Sequence, residues 1–513
     1  MRGNFNRQQN SIFLSVLFLS QMLFFLLSAP VCNAVDKTEI LVEKQGISDT
    51  LSITLREAIL TALENNPTVT IQRLQPQIAE TYVLEHRGDY DPNLSATTTR
   101  DETKMQRFLG SRPEPFELTS ERSQYELSLS QKLPTGTVIS AGAAMFGSYS
   151  SIYTDQFSGN VDITVTQALL QGFGIGVNLA NLRKANLDLE ISNEELKAVA
   201  EQIIADMESA YWNLYLAGEE VKINSQSLEL AKQQLQESEE RVRVGKLARL
   251  ELAAVHAELA ARQEALIDAQ SRYEQARLLF IFLLNPNIPD PWRNHPRLED
   301  APIIPTDSLD DIGYHVQAGL KFRPDLRQAR LNIKKGAIDV TLTRNGLLPR
   351  LDLFITLGRT TYAQSFREAV PDVKSPFYSV SGGLSFSFPV LDSKARAQYA
   401  RAQLSQQQKQ LLVKNMERLV ERDVRSAFTE VKRSRQQIVA TRVTRQLQNE
   451  KWLAELEKFR VGKSTNYLVL QAQRDLTASQ IDEASAIVRH LNALINLYLM
   501  DGTLLDRCGI NAL

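Results

Sequence analysis

The sequence predicts a mostly α-helical fold with a transmembrane β-barrel part, written twice along the chain. Each copy is a strand hairpin followed by a very long helical hairpin. Three observations carry this prediction. Two long proline-free stretches have helical periodicity and end at Val-Gly pairs; the segments before them alternate apolar and small polar residues; and the whole pattern recurs. The alternating segments are few in each copy, and a spanning sheet cannot keep an open edge because lipid offers no hydrogen bonds. Closure therefore requires several subunits.

The chain opens with an address. Arg2 and Arg7 precede the apolar run Ile12–Leu27, and Cys32-Asn33-Ala34 is a small-residue exit. This pattern predicts a secretory signal peptide over 1–34, cut after Ala34. The other reading of the run is an uncleaved anchor helix. Lipid modification at Cys32 is disfavoured, because Val31 stands where a lipobox has a small residue. A lead segment, 35–50, follows. From residue 35 onward the longest apolar run is Leu278–Leu284, far short of the roughly 20 residues of a spanning helix.

The duplication is visible in punctuation. Arg243-Val-Gly-Lys246 recurs as Arg460-Val-Gly-Lys463 at an offset of 217 residues. Asn66-Pro67 and Arg323-Pro324 are each followed 25 residues later by another proline, Pro92 and Pro349. The first copy is assigned to 51–284 and the second to 309–502, with a linker over 285–308 and a tail over 503–513. Between its Pro92 and Gly176 the first copy has about 40 residues more than the second has between Pro349 and Ser393.

The strands come first in each copy, over about 93–168 and 350–388. Tyr125, Leu127 and Leu129 alternate with Glu126, Ser128 and Ser130, and Val161, Ile163 and Val165 with Asp162, Thr164 and Thr166. Leu351, Leu353 and Ile355 continue the pattern, as do Tyr378, Val380, Leu384, Phe386 and Phe388. Period two with one apolar face suits a barrel with lipid outside and water inside. An edge of a soluble sandwich is the rival reading. The extra segment, about 100–150, contains a hairpin pattern across Pro134-Thr-Gly136. It is either a surface loop or additional barrel wall.

The helical hairpins follow, over 177–284 and 394–500, turning at Gly245 and Gly462. In the second, Leu404, Leu411, Leu412, Met416, Leu419, Val424, Phe428, Val431 and Ile438 recur at three, four or seven residues among Gln, Lys, Arg and Glu. About 66 residues at 1.5 Å each make a helix of roughly 100 Å. Such a helix buries its stripe only beside others. The glycines supply the left-handed residue that ends a helix before a tight reversal.

Composition bounds the function. Fifty-eight Lys+Arg against 60 Asp+Glu give a net charge of −2, so there is no basic excess for nucleic acid. With 43% hydrophobic and 23% charged residues the chain is of folded type. Cys32 and Cys508 are too few for a disulfide scaffold.

In order, duplication and spacing, the chain resembles the TolC-like outer-membrane factors, the outer membrane efflux protein family. The matching pieces are Leu55-Arg-Glu-Ala-Ile-Leu-Thr-Ala-Leu-Glu-Asn-Asn-Pro67, Phe322-Arg-Pro-Asp-Leu-Arg-Gln-Ala329, Leu347-Leu-Pro-Arg-Leu-Asp-Leu353, Phe388-Pro-Val-Leu-Asp392 and the two Val-Gly turns. The resemblance implies a homotrimeric α/β-barrel tunnel with four strands per protomer, or six if the extra segment joins. It implies location in the outer membrane with helices reaching into the periplasm. It implies a passive exit duct for multidrug efflux or type I secretion, partnered by a periplasmic adaptor (membrane fusion protein) and an inner-membrane transporter. The gate would lie at the hairpin tips, where Arg249, Glu251, Phe459, Ser464, Leu468 and Gln471 occupy the family's latch and constriction positions. Phe459 and Ser464 replace the family's tyrosine and arginine, and Leu468 and Gln471 its aspartates. Val244, Gly245, Lys246, Val461, Gly462 and Lys463 fall at the adaptor contact, although the lysines also suit a plain solvated loop.

No enzyme, cofactor or metal site is expected. Gly462-Lys463-Ser464 ends like a phosphate-binding loop, but Glu457 stands at the position of its first glycine. Gly172-Phe-Gly-Ile-Gly176 reads as a strand-to-helix corner. His86, His256, His295, His315 and His490 share no ligand spacing. The rival functions are a periplasmic coiled-coil adaptor, which carries one hairpin rather than two, and a structural coiled coil, which has no use for the strands.

Overall fold

The structure is a computed structural model, and it describes residues 50–107, 114–151, 154–245, 248–304 and 309–510. The signal peptide with Cys32, the lead segment as far as 49, Lys246 and the last residues of the tail lie outside the described residues.

A short strand β1 (Thr50–Ile53) leads into α1 (Leu55–Asn65) and α2 (Pro67–Gly88). Local chemistry sets both helix starts. Thr54 and Glu57 form a capping box on α1, and the Asn66 side chain accepts from the Thr68 amide ahead of Pro67 at the first turn of α2. Four strands follow: β2 (Asn93–Arg107), β3 (Phe116–Lys132), β4 (Thr137–Ser150) and β5 (Gln156–Ala168). A single turn α3 (Ile175–Asn178) then opens α4 (Ala180–Arg243), whose 64 residues extend about 96 Å, and α5 (Arg249–Leu284) returns.

The linker is more than a connection. Within it β6 (His295–Leu298) pairs in parallel with β1. The second half then runs α6 (Ile312–Phe322), α7 (Pro324–Asn345), β7 (Arg350–Ala363), β8 (Phe377–Ser387), the 68-residue α8 (Ser393–Arg460) and α9 (Asn466–Met500). The tail is also built in. It forms α10 (Leu504–Arg507), and Leu504 and Leu505 are buried.

Among the described residues the large sheet is open, antiparallel and six strands wide, in the order β2-β3-β4-β5-β7-β8. The extra segment of the first half therefore lies within it. Beyond the sheet the helices form a layer. Nearest the strands the neighbours run α2-α4-α7-α8, and further away α5-α4-α9-α8. Every level of the layer is four helices wide.

One core gathers where α1, α4, α5 and α9 meet, around Tyr211, Phe280, Ile204, Met207 and Leu284. Tyr211 stacks edge-on to Trp212 at 5.1 Å, and its hydroxyl accepts from the Asp300 amide at 3.1 Å. A second core, on α7, α8 and α9, contains Leu326, Val420, Val424, Phe428 and Leu497. There the fully buried His315 and Asp501 pair at 2.7 Å, and Asp501 also accepts from the amide and hydroxyl of Thr503. This network pins the tail to α6.

The stripe on α8 divides between two environments. Val413, Val420, Val424, Phe428, Val431 and Ile438 are buried within the protomer. Leu404, Leu411, Leu412, Leu419, Val443, Leu447 and Leu453 remain exposed.

Glu201 on α4 is 2% exposed, and burial pushes its carboxyl up to about 7 from 4.5 against the opposing pull of Lys197, 3.7 Å away. Asp501 and Asp506 add like charge. The folded state thus holds this proton more tightly than the unfolded chain does. Its contribution is complete below about pH 4.5 and is lost as pH climbs toward 7, a change of about 3 kcal/mol. Thermal midpoints recorded between pH 4.5 and 7.5 should therefore fall with rising pH by more in the parent than in Glu201→Gln. Parallel profiles would disprove this role.

Candidate functional site

Two regions carry the chemistry: the sheet and the far ends of the helical hairpins. The strand register sorts the sheet into two unlike faces. One face bears Leu94 and Ala96 of β2, Tyr125, Leu127 and Leu129 of β3, and Ile139, Ala141, Ala143 and Met145 of β4. It continues through Val161, Ile163 and Val165 of β5, Ile355 and Leu357 of β7, and Val380, Leu384 and Phe386 of β8. Val380, Leu384 and Phe386 are 65%, 64% and 66% exposed, so the single chain does not cover them. An apolar face this continuous is a surface for lipid or for a partner.

The opposite face bears Ser95, Thr97, Glu126, Ser128, Ser140, Asp162, Thr164, Asp352, Thr356, Ser379, Ser381 and Ser385. The hydroxyls of Thr164 and Thr356 join at 2.9 Å and tie the two halves together on this side. On β8 the apolar face runs from Tyr378 to Phe386, the nine residues or so that a tilted strand needs to cross a bilayer. On β2 and β3 it gives way to charge, with Arg100–Glu121 at 2.8 Å and Lys104–Glu117 at 2.6 Å. The β3–β4 turn on the helix side is only Leu133–Gly136, while the far connection between β7 and β8 occupies 364–376. Phe366 of that connection packs edge-on against Tyr125 and Phe157 on the apolar face.

The hairpin tips are built alike. In the second, Val461 caps α8, Gly462 has φ +74°, its amide donates to the Phe459 carbonyl and the Lys463 amide to that of Lys458. This is a Schellman motif, and only glycine takes that φ without strain. In the first, Gly245 has φ +73° and donates to Val242. Thr465 then caps α9 through the Leu468 amide. The seams inside each hairpin carry surface ion pairs, Arg272–Glu220 at 2.9 Å and Lys451–Asp475 at 2.7 Å. The seam between hairpins, α4 against α9, is joined instead by buried neutral groups. Gln234 donates to Asn466 at 2.9 Å, and Ser227 lies 3.3 Å from Thr477.

The six gate candidates do not converge within one chain. Arg249 and Glu251 lie in the first turn of α5, and among the described residues Glu251 forms no side-chain hydrogen bond or ion pair. Phe459 is buried, with the Arg241 guanidinium 4.5 Å over its ring, so it joins α8 to α4. Ser464 donates to Glu455 at 2.7 Å. Leu468 and Gln471 are exposed on α9. Val244, Val461, Gly462 and Lys463 are exposed too, as is Gly245.

The side chains that do bridge the returning helices are others. Arg474 of α9 lies 3.5 Å from Glu258 of α5, and Glu258 pairs with Arg262 at 2.7 Å. Glu258 and Arg262 are buried, which is uncommon for charged residues. Their one sequence signal is the i,i+4 spacing of Glu258 and Arg262, a pattern shared with many solvated helices.

The family model described as outer membrane efflux protein matches residues 58–285 and 316–503. The pyoverdine export outer membrane protein OpmQ of Pseudomonas putida is 24% identical over 325 residues, 60% of this chain, and the alignment spans 64% of that relative. Among solved structures, the outer-membrane channel OprN is similar with a TM-score of 0.66 and 20% identity, covering 87% of this chain and 89% of its own. The Campylobacter jejuni CmeC outer membrane channel gives 0.64 and 14% identity over 88% and 86% of the two chains. The open state of the Neisseria gonorrhoeae MtrE outer membrane channel gives 0.63 and 18% over 88% and 89%. Those likenesses carry the fold; the match of the family model, over both halves of the chain, carries the assignment. The chain belongs to the outer membrane efflux protein family.

Proposed function

We propose that the protein is the outer-membrane exit duct of a tripartite efflux pump or type I secretion system, a passive conduit of three copies opened at its hairpin tips. The observation that carries this reading is the two-faced open sheet continued by an amphipathic helical layer. The apolar face suits lipid, the polar face water, and the open edges another copy. The helices would cross the periplasm, and an adaptor would dock on the Val-Gly-Lys turns (Val244–Lys246 and Val461–Lys463). Energy would come from an inner-membrane transporter.

The exposed stripes support ring closure. α2 and α8 are the two edges of the helical layer beside the sheet. α2 leaves Ile71, Leu74, Ile78 and Tyr82 uncovered, and α8 leaves Leu404, Leu411, Leu412 and Leu419 uncovered. Counted from the strands, Tyr82 and Leu404 stand at the same level, 11 residues from Asn93 and from Ser393. One edge thus fits the other edge of a second copy. Each leucine so covered contributes about 1.5–3 kcal/mol.

Opening would separate the returning helices α5 and α9. Glu258, Arg262 and Arg474 bridge them within a protomer, while Glu251 and Gln471 are free for contacts between protomers.

The protein should partition with the outer membrane and migrate as a heat-sensitive trimer; recovery only in the soluble periplasmic fraction would refute the reading. Leu411→Glu with Leu419→Glu should convert the detergent-solubilised trimer to monomer while keeping its helical circular dichroism. A surviving trimer would remove α8 from the interface. In planar bilayers, Arg474→Ala and Glu251→Ala should each raise the resting conductance severalfold. Conductance equal to the parent's in both would move the gate away from these helices.

A further inference from the structure

We propose that all six strands of each copy are staves of the barrel, so that three copies close an 18-stranded wall by pairing β8 of one copy with β2 of the next. This rests on the three-copy reading above and adds the strand count and the joint. Four observations converge on it.

First, β3 and β4 sit inside the sheet, paired along their lengths to β2 and β5. They continue the same two faces, with Leu127 and Leu129 on the apolar side and Glu126 and Ser128 on the polar side. A loop lying outside a barrel has no reason to keep that alternation in register with its neighbours.

Second, the strand directions alternate, so the two edges of a six-stranded sheet run opposite ways. β8 of one copy meets β2 of the next as an antiparallel pair, and the ring closes with no parallel joint. An insertion of two strands preserves this; an insertion of one would break it.

Third, β2 and β8 have partners on one side only. Both carry the alternation of a lipid-spanning strand, and unpaired peptide groups there cost several kcal/mol each.

Fourth, the widths agree. Strands about 4.8 Å apart and tilted about 40° each occupy roughly 6.3 Å of rim, so six of them occupy about 38 Å. The layer they join is four helices wide, or about 32–40 Å at 8–10 Å per helix. Four strands would span only about 25 Å and would force the tunnel to narrow at the joint. The wall of 18 strands is about 35 Å across, with roughly twice the cross-section of one of 12. The barrel is then wider than its gate, and resistance is set at the tips.

Imaging of the full-length trimer in detergent counts the staves. The expected result is a three-fold ring with 18 strands. A three-fold ring of 12, with two strands of each copy outside the wall, overturns this inference and leaves the channel reading intact. Any ring that is not three-fold overturns both. A second measurement needs no image. In intact outer membranes Ser128→Cys should react with a water-soluble maleimide, and Leu127→Cys should react at least tenfold more slowly, each against the unsubstituted protein. Equal rates would place β3 in water on both faces and overturn the inference.

Discussion

A peptide group inside a bilayer must find its hydrogen-bond partner within protein. That constraint organises this molecule. The six-stranded sheet satisfies it internally and fails at its two edges, β2 and β8. The failure makes the fold unable to stand alone where it works. It also explains the exposed apolar residues of α2 and α8, at the two edges of the helical layer. The sheet demands a ring, and a ring of sheets carries the helices into one as well. The uncovered stripes are the helical half of a joint whose other half is backbone hydrogen bonding.

The seams of the helical layer differ in a way that bears on movement. Within each hairpin, exposed ion pairs line the contact, and such pairs contribute about 0.2–1 kcal/mol each. They set register more than they hold. The aromatic core around Tyr211 and Phe280 is the rigid part, because a Phe or Tyr loses about 3–5 kcal/mol when truncated in a packed core. Below it, the α4–α9 seam has the Gln234–Asn466 and Ser227–Thr477 contacts and small side chains such as Ala231. A firm waist with lightly joined ends is suited to hairpins that pivot, and the buried charges Glu258, Arg262 and Arg474 are placed where a pivot would separate them.

The long helices, their turns and the strand alternation are legible in the sequence because each is written locally. Gly245 and Gly462 need only a left-handed φ, and Leu127 against Ser128 needs only period two. What is not legible depends on neighbours. Leu411 and Val420 belong to one helical stripe, yet Val420 is buried by its own chain and Leu411 is uncovered, because spacing says nothing about which chain supplies the partner. Phe459 holds a position of interest by family likeness, but Arg241 claims its ring. Glu258 and Arg474 meet from distant parts of the chain and carry no motif. The ordered tail is missed for a similar reason: Asp501 matters only once His315 lies beside it.

The two halves of the chain solve one geometric problem unequally, and the inequality has a physical reading. Copy one places four strands between its α2 and α4, copy two places only β7 and β8 between α7 and α8, and both feed a helical layer of the same kind. Adding strands in one copy is tolerated because a hairpin enters a sheet as a unit. It brings its own pairing, keeps the directions alternating and, with an even count, returns the chain to the side from which it left. The short turn Leu133–Gly136 on the helix side leaves the helices untouched. A hairpin inserted in a sheet therefore widens the wall without altering a helix, whereas widening the tunnel would require a new long helical pair. The barrel is the part of such a fold whose width can change most cheaply.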